Sequence, residues 1–463
     1  MTARLPDHLD LIAAAPGGIR KLRGLILELA VRGKLVQQDP NDEPASELLR
    51  RIARERARLE AEGVCKRSKA MPPVSADEQP FAMPEGWAWV RLAEIGHDWG
   101  QKTPDATFTY VDVSAIDNAR GVIDSPSVLS PEAAPSRARK LVQRGTVIYS
   151  TVRPYLLNIA VIDRDLTPPP IASTAFAVVH PFAELSSQYI FWYLRSPVFV
   201  RYVESVQTGI AYPAVNDAQF FSGLFPLPPL AEQQRIVAKV DDLMALCDRL
   251  EAEQAGAGAA HARLVDTLLA TLTQSADTAE LATNWQRLAE HFDTLFTTES
   301  SLDALKQTLL QLAVMGKLVP QDPNDEPASE LLNRIALERA RLVAEGRIKE
   351  SKSLPQVDEG KQPFVLPTGW LWQRLDELLA ISGGVTLGRK LVGRTLISKP
   401  YLRVANVQRG HLLLDQIKTV EIPEDEFSKY RLQSGNLLIT EGGDWDKVGR
   451  TAVWEGEIEG CVH

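Results

Sequence analysis

Two charged triplets in this 463-residue chain have a form that could do chemistry: Glu350-Ser351-Lys352 and Glu359-Gly360-Lys361 match the Glu-x-Lys of a nuclease. No matching aspartate on a preceding strand accompanies either, and such triplets are common by chance in charged linkers. None of Gly24, Gly33, Gly383, Gly384 and Gly388 builds a Gly-x-Gly-x-x-Gly phosphate loop after a strand. There is no nucleophile elbow and no Asn-Pro-Pro-Tyr type motif for adenine methylation; Pro168-Pro169-Pro170 lacks the flanking groups and reads as a loop. The seven histidines are scattered, and Cys65, Cys247 and Cys461 lie too far apart for a metal site or a disulfide framework.

What remains is polar loops on a mixed domain, each either an ordinary solvated loop or a recognition surface. Ser150-Thr151-Val152-Arg153-Pro154-Tyr155 follows a strand candidate, and Thr208 to Asn216 precedes a proline-rich segment. Thr440-Glu441-Gly442-Gly443-Asp444-Trp445-Asp446-Lys447 occupies the place matching the first of these. Arginine, lysine, asparagine and glutamine can read purines through paired hydrogen bonds, and acids can accept from cytosine. The candidate DNA-contacting residues are Gln101, Lys102, Thr151, Arg153, Tyr155, Asn158, Thr208, Tyr212 and Asn216 in the first half. In the second half they are Arg389, Lys390, Arg403, Asn406, Glu441, Trp445 and Lys447.

The elements that must position these loops come from a duplication. Leu22 to Gly63 and Leu305 to Gly346 are identical at 32 of 42 positions, with an unbroken run from Gln38 to Leu49 against Gln321 to Leu332. The offset of 283 residues continues through Gly86-Trp87 and Gly369-Trp370, and the copies diverge past about Ile95. Solenoid periods run roughly 20 to 50 residues, so this is a repeated helical preface with two different sequels.

Within the preface, Ile19, Leu22, Ile26, Leu29 and Ala30 form a helical stripe stopped at Gly33. A turn at Asp39 to Pro44 starts a second helix that ends at Gly63. Residues 1–80 therefore read as an N-terminal helical segment ending in a linker. Residues 81–230 read as a first variable domain, with strand candidates at Trp87 to Leu92, Phe108 to Ile116, Thr146 to Tyr149, Asn158 to Ile162 and Thr174 to Val179. Helices are expected at Ser187 to Leu194 and Val198 to Val206. Residues 231–363 read as a helical spacer. Its heptad seam runs through Ile236, Val240, Leu243, Cys247 and Leu250, weakens over Gln254 to Ala259, and resumes at Leu264, Leu268 and Leu272, then Leu281, Trp285, Leu288, Phe292 and Leu295. Residues 364–463 read as a second variable domain, incomplete by comparison with the first, with strand candidates at Tyr401 to Val407, Gly435 to Thr440 and Thr451 to Trp454. A sheet lacking its counterpart strands is expected to expose edges and apolar faces. The fold class is mixed α/β.

The net charge of −9 is concentrated: Asp241 to Asp303 holds twelve acids against Arg249, Arg263 and Arg287, so the other 400 residues sum to zero. The phosphate footprint of a DNA-binding protein is local, so bulk charge neither excludes nor supports it. With no apolar signal core at Met1-Thr2-Ala3-Arg4-Leu5-Pro6 and no run near the roughly 18 apolar residues of a membrane span, a cytoplasmic location is expected.

The proline segment Phe225 to Leu230 followed by Ala231-Glu232-Gln233-Gln234-Arg235-Ile236-Val237 resembles the exit motif of type I restriction–modification specificity subunits. Pro84-Glu85-Gly86-Trp87, repeated as Pro367-Thr368-Gly369-Trp370, and the Gly-Lys-Leu-Val helix ends resemble the same family. The resemblance covers nearly the whole chain. It implies a prokaryotic, non-catalytic subunit with two target-recognition domains of mixed strands and helices, joined by long antiparallel coiled-coil-like helices in a tandem pseudo-repeat. Each domain would read one half of a split site on double-stranded DNA. The helices would act as a ruler and dock two methyltransferase subunits, which recruit motor-endonuclease subunits. No cofactor is expected in this chain; S-adenosylmethionine, ATP and Mg belong to the partners. Half-sites one turn apart are separated by roughly 34 Å, which some 25 to 35 helical residues span at about 1.5 Å each. A shortened subunit is expected to be able to pair with a second copy. The competing readings are a coiled-coil scaffold whose variable domains bind proteins, and an enzyme with a cryptic nuclease site.

Overall fold

The computed structural model describes residues 15, 17–65, 71–182, 184–209, 211–350, 354–355, 357–358, 360 and 362–463. The Glu-x-Lys triplets include Ser351, Lys352, Glu359 and Lys361, and the N-terminal start is residues 1–6; these lie outside the described residues. Two compact units result, one ending at Val265 and one beginning at Asp266.

The first unit opens with the expected helix pair, α1 (Gly18–Val31) and α2 (Ala45–Ala61). Ile19, Leu22, Ile26, Ala30 and Leu48 are buried in one core. Gly33 ends the first helix with φ 64, a left-handed conformation that a side chain resists, and a Cβ there would collide with the Pro84 ring.

The strands follow in order: β1 (Ala88–Arg91), β2 (Gly96–His97), β3 (Phe108–Val111), β4 (Ser127–Leu129), β5 (Ala138–Leu141), β6 (Val147–Ser150), β7 (Ile159–Val161), β8 (Pro170–Ser173), β9 (Phe176–Pro181) and β10 (Leu224–Leu227). They form a β4-β3-β8-β5 sheet, in which β3 and β8 are parallel, an antiparallel β2-β9-β6-β7 sheet, and a β1-β10 pair. Strand β6 shows the period-two logic. Its Ile148 faces a core with Val111, Ala172 and Val178, while Val147 and Tyr149 face the core shared with α1. Helices α3 (Ser187–Leu194) and α4 (Pro197–Val206) fall where expected, each capped by a serine side chain. A short α5 (Asp217–Ser222) precedes β10.

Two expectations are corrected here. The candidate strand Phe108 to Ile116 is broken after Val111, because the Asp112 carboxylate accepts from the backbone N–H of Ser114 and Ala115 and turns the chain; Ile116–Asp117 resumes as a separate short strand against Val122–Ile123. Pro168-Pro169-Pro170 is not all loop, since Pro170 starts β8 at a strand end, where a missing N–H is tolerated.

The exit motif begins α6, which runs unbroken from Leu230 to Gln274. Buried Glu232 accepts from Gln38 Nε2 at 2.6 Å and from Trp87 Nε1 at 2.8 Å. Arg235 pairs with Asp42 at 2.5 Å, and Gln233 donates to Pro228 O and accepts from Ser186 N. Further along, Arg23 pairs with Asp248 and Glu251, so α1 and this part of α6 run antiparallel. Ile236, Val240, Leu243 and Cys247 are buried as the seam requires. Residues 252–260 stay helical with every residue exposed. Beyond them the seam differs from expectation: Val265, Leu269 and Leu272 are buried and Leu264 is exposed. One residue is about 100° of helix, well beyond the roughly 40° that a straight helix drifts over two heptads, so the far part of this helix buries a different face. Trp285 and Phe292, expected on the seam, are exposed, while Leu288 and Leu295 are buried.

The second unit repeats the preface as α8 (Glu299–Val314) and α9 (Ala328–Ala344), after α7 (Thr278–Glu290). Gly316 sits at φ 68 against Pro367 as Gly33 does against Pro84. The same side chains meet different surroundings: Leu27 is 6% exposed and its counterpart Leu310 61%, and Val31 1% against 60% at Val314. Residues 364–463 include no counterpart of α3, α4 and α6. Their strands are β11 (Leu396–Tyr401), β12 (Lys418–Pro423), β13 (Asn436–Ile439) and β14 (Thr451–Trp454), paired β11-β12 and β13-β14. The candidate strand Tyr401 to Val407 ends at Tyr401, and a 3-10 turn at Val404–Asn406 follows, as one does at Val113–Ala115. Leu437, Ile439 and Val453 are exposed.

Two outcomes test this architecture. Gly33→Ala destabilises the first unit by about 3 kcal/mol, combining left-handed strain with the Pro84 collision. Gly63→Ala, left-handed but facing open space, costs about 1 kcal/mol; denaturant unfolding separates the two. His180, hydrogen-bonded to Thr146 Oγ1 at 3.0 Å, has its pKa pushed down to about 4 by burial and by neighbouring His97. The unfolded chain takes that proton first, near pH 6.5. The contribution of neutral His180 is therefore full above pH 6.5 and lost as pH falls through 4, and His180→Gln flattens the stability–pH slope across that window.

Candidate nucleic-acid interface

Strand β6 delivers the first loop. Ser150 Oγ donates to Val152 O at 2.8 Å, and Thr151 donates to Ala175 O through both N–H and Oγ1. Arg153 (φ 48) and Leu157 (φ 52) are both left-handed, which is costly for side-chain-bearing residues and needs a surrounding frame to hold it. The frame is the second loop. Arg153 N donates to Pro213 O at 2.8 Å, Val215 N donates to Thr151 O at 2.9 Å, and Ala214 bridges both Val152 and Thr208. The two loops selected from the sequence thus form one surface. Asn118, not selected, donates Nδ2 to Leu156 O and steadies the far side.

The exposed groups here are Arg153, Tyr155 (52% exposed) and Tyr212 (68%). The Arg153 guanidinium lies over the Tyr212 ring, 4.8 Å from its centroid. Arg153 makes no ion pair among the described residues.

Backbone hydrogen bonds extend this surface along β5. Thr174 N donates to Arg137 O and Lys102 N to Arg139 O, and Gln101 bridges Lys140. Lys102 pairs with Asp105 at 2.7 Å, and Lys140 with Asp217 at 3.2 Å. Arg137 is exposed and Arg139 half-buried. Neither was selected from the sequence; the run Arg137-Ala138-Arg139-Lys140, alternating on a short strand, was the available signal.

Not every selected residue is free to recognise a ligand. Asn158 is buried behind β6. Asn216 caps α5, accepting from Gln219 N at 2.9 Å. Thr151 is committed to Ala175 O, and Thr208 is exposed beside Ala214.

In the second unit the matching loop carries Trp445, 98% exposed, five residues past Thr440 as Tyr155 is five past Ser150. Glu441 is exposed, and Lys447 pairs with Asp444. Thr440 closes the loop by accepting from Arg450 N and Gly449 N. Asn406 is buried: its Oδ1 accepts from Arg403 N at 3.0 Å and its Nδ2 donates to Leu413 O at 2.8 Å. Its amide therefore shapes the turn after β11. Arg403 donates to Gln416 O. Arg389 shares Glu426 with Arg394, each at 2.7 Å, and the two guanidiniums, Arg389 first, hold that carboxyl near pH 2. Lys390 is exposed. Among the described residues no group of three or more His, Cys, Asp or Glu could hold a metal ion, and no helix is long and apolar enough to cross a membrane.

The buried role of Asn406 is testable. Asn406→Ala leaves the Leu413 carbonyl and the Arg403 N–H without their partner and destabilises the second unit by about 2 kcal/mol. Thermal unfolding measures that loss directly.

A family profile described as type I restriction modification DNA specificity domain matches residues 84–255. The EcoAI specificity subunit of Escherichia coli is 42% identical over 433 residues, covering 91% of this chain and 73% of that protein. The EcoEI specificity subunit, also from Escherichia coli, is 41% identical over 456 residues, covering 95% and 75%. Among solved structures, the HsdS subunit from Thermoanaerobacter tengcongensis matches with a TM-score of 0.38 and 40% identity, over 42% of this chain and 51% of that chain. At this identity over nine-tenths of its length, the chain belongs to the specificity subunits of type I restriction enzymes.

Proposed function

We propose that this chain is the non-catalytic DNA-recognition subunit of a type I restriction–modification complex, acting in the prokaryotic cytoplasm. The observation that carries the reading is the kinship with the EcoAI specificity subunit across 91% of the chain. In this reading, residues 81–230 and 364–463 each recognise one half of a split double-stranded site. The helical stretch 231–363 and the segment 1–80 set the spacing and dock two methyltransferase subunits, through which motor-endonuclease subunits join. S-adenosylmethionine, ATP and Mg are used on those partners.

The exposed groups divide by chemistry. Arg139 on β5, Arg137 just before it and Lys102 hydrogen-bonded beside it suit phosphates, which attract cations regardless of sequence. Arg153, Tyr155, Thr208 and Tyr212 suit base edges and stacking. Trp445, Glu441, Lys447 and Lys390 are their proposed counterparts in the second domain. Asn158, Asn406 and Arg389, bound up in the fold or in an ion pair, are assigned supporting roles.

The test is adenine methylation mapped across a host genome with this chain co-expressed with its methyltransferase. The expected result is a split motif whose first half changes when the Arg153 and Tyr212 loops are replaced. A soluble chain bound to its methyltransferase, with no motif-dependent methylation, would refute the reading.

A further inference from the structure

We infer that Arg153, seated over the Tyr212 ring, is a specificity-determining residue that recognises a guanine in the major groove of the half-site read by the first domain. This deepens the DNA-recognition reading above and rests on it. A guanidinium presents paired donors in one plane, which match guanine O6 and N7. Such a fork discriminates only if its plane is fixed. Here the backbone of Arg153 is tied to Pro213 O at 2.8 Å, its φ of 48 is held by the joined loops, and its guanidinium carbon lies 4.8 Å from the Tyr212 ring centroid, which limits where the fork can point. The two loops, Ser150 to Asn158 and Thr208 to Asn216, contain no Asp or Glu, and Arg153 makes no ion pair among the described residues.

The same two loops argue against a phosphate contact. Arg153 is their single cation, and its exposed neighbours are Val152, Tyr155, Leu156 and Tyr212. A phosphate-tracking surface gathers several cations, and on this domain those lie on and beside β5 instead. An aromatic and aliphatic surround suits base edges and thymine methyl groups.

The experiment uses the chain assembled with its methyltransferase subunits. Methylation mapping defines the first half-site. Duplexes then carry 7-deazaguanine, which pairs normally but lacks N7, at each guanine of that half in turn. The expected result is one position at which the replacement lowers affinity about fivefold to 150-fold, the range of a bidentate base contact. In Arg153→Gln the natural site loses a similar factor, and 7-deazaguanine at that position has no further effect. Tyr212→Phe keeps the discrimination and Tyr212→Ala loses most of it. Retained affinity for unrelated duplexes shows that these variants are folded. A flat scan, a half-site without guanine, or an equal loss by Arg153→Gln on every duplex overturns the guanine assignment while leaving DNA recognition intact. A wild-type complex with no site preference overturns both.

Discussion

The Glu232 side chain takes hydrogen bonds from Gln38 and Trp87, residues 194 and 145 positions earlier, and the rest of the first unit depends on that junction. Burial raises the carboxyl pKa, and the two donors oppose the rise. A buried carboxylate without them would be strongly destabilising. Around it, Arg235 holds Asp42, and Gln233 ties Pro228, just past β10, to Ser186 at the start of α3. Because β10 pairs with β1, the same few residues fix where the domain leaves the helices and where it returns. The exit motif is therefore a clasp between a variable domain and its frame, which explains polar residues at the start of an otherwise apolar seam.

From this clasp the loops inherit their rigidity. Strand β6 packs both faces into cores, so the backbone leaving Ser150 has a fixed origin. The strained turn at Arg153 is held by a segment that itself runs into α5 and β10. Side chains on the loops can change while the frame that aims them stays intact. The exposed aromatics Tyr155 and Trp445, at matching positions on two otherwise divergent domains, fit that division.

Much of this was legible in the sequence because repetition and periodicity are local signals. The preface helices, β6, β7, β14 and both serine-capped helices follow from apolar spacing and caps. Strands β4 and β5 escaped notice because Ser127-Val128-Leu129 and Ala138-Arg139-Lys140-Leu141 are too short or too polar for an alternation to stand out. The seam shift at Val265 reflects a different face buried on the far part of the helix, which no heptad count records. Selecting loop residues by type picked out Arg153 and Tyr212, which the fold exposes and brings together. It also drew in Asn158 and Asn406, because an amide serves equally well as a reader of bases or a brace for a turn. Only burial separates those roles. The left-handed Arg153 and Leu157 carried no glycine to announce them.

The near-identity of the two prefaces sets a folding problem that chain order solves. The motif at Glu232 can be grasped by Gln38 or by Gln321, and Gln321 lies only 89 residues downstream. The shorter loop costs about 0.6 kcal/mol less to close, so a whole chain refolding from denaturant meets a competitor slightly favoured by entropy. During synthesis the first preface is already outside the ribosome when the motif emerges, and the second has not yet been made. Vectorial emergence thus selects the native partner. A duplicated frame of this kind is safest when it folds as it is translated.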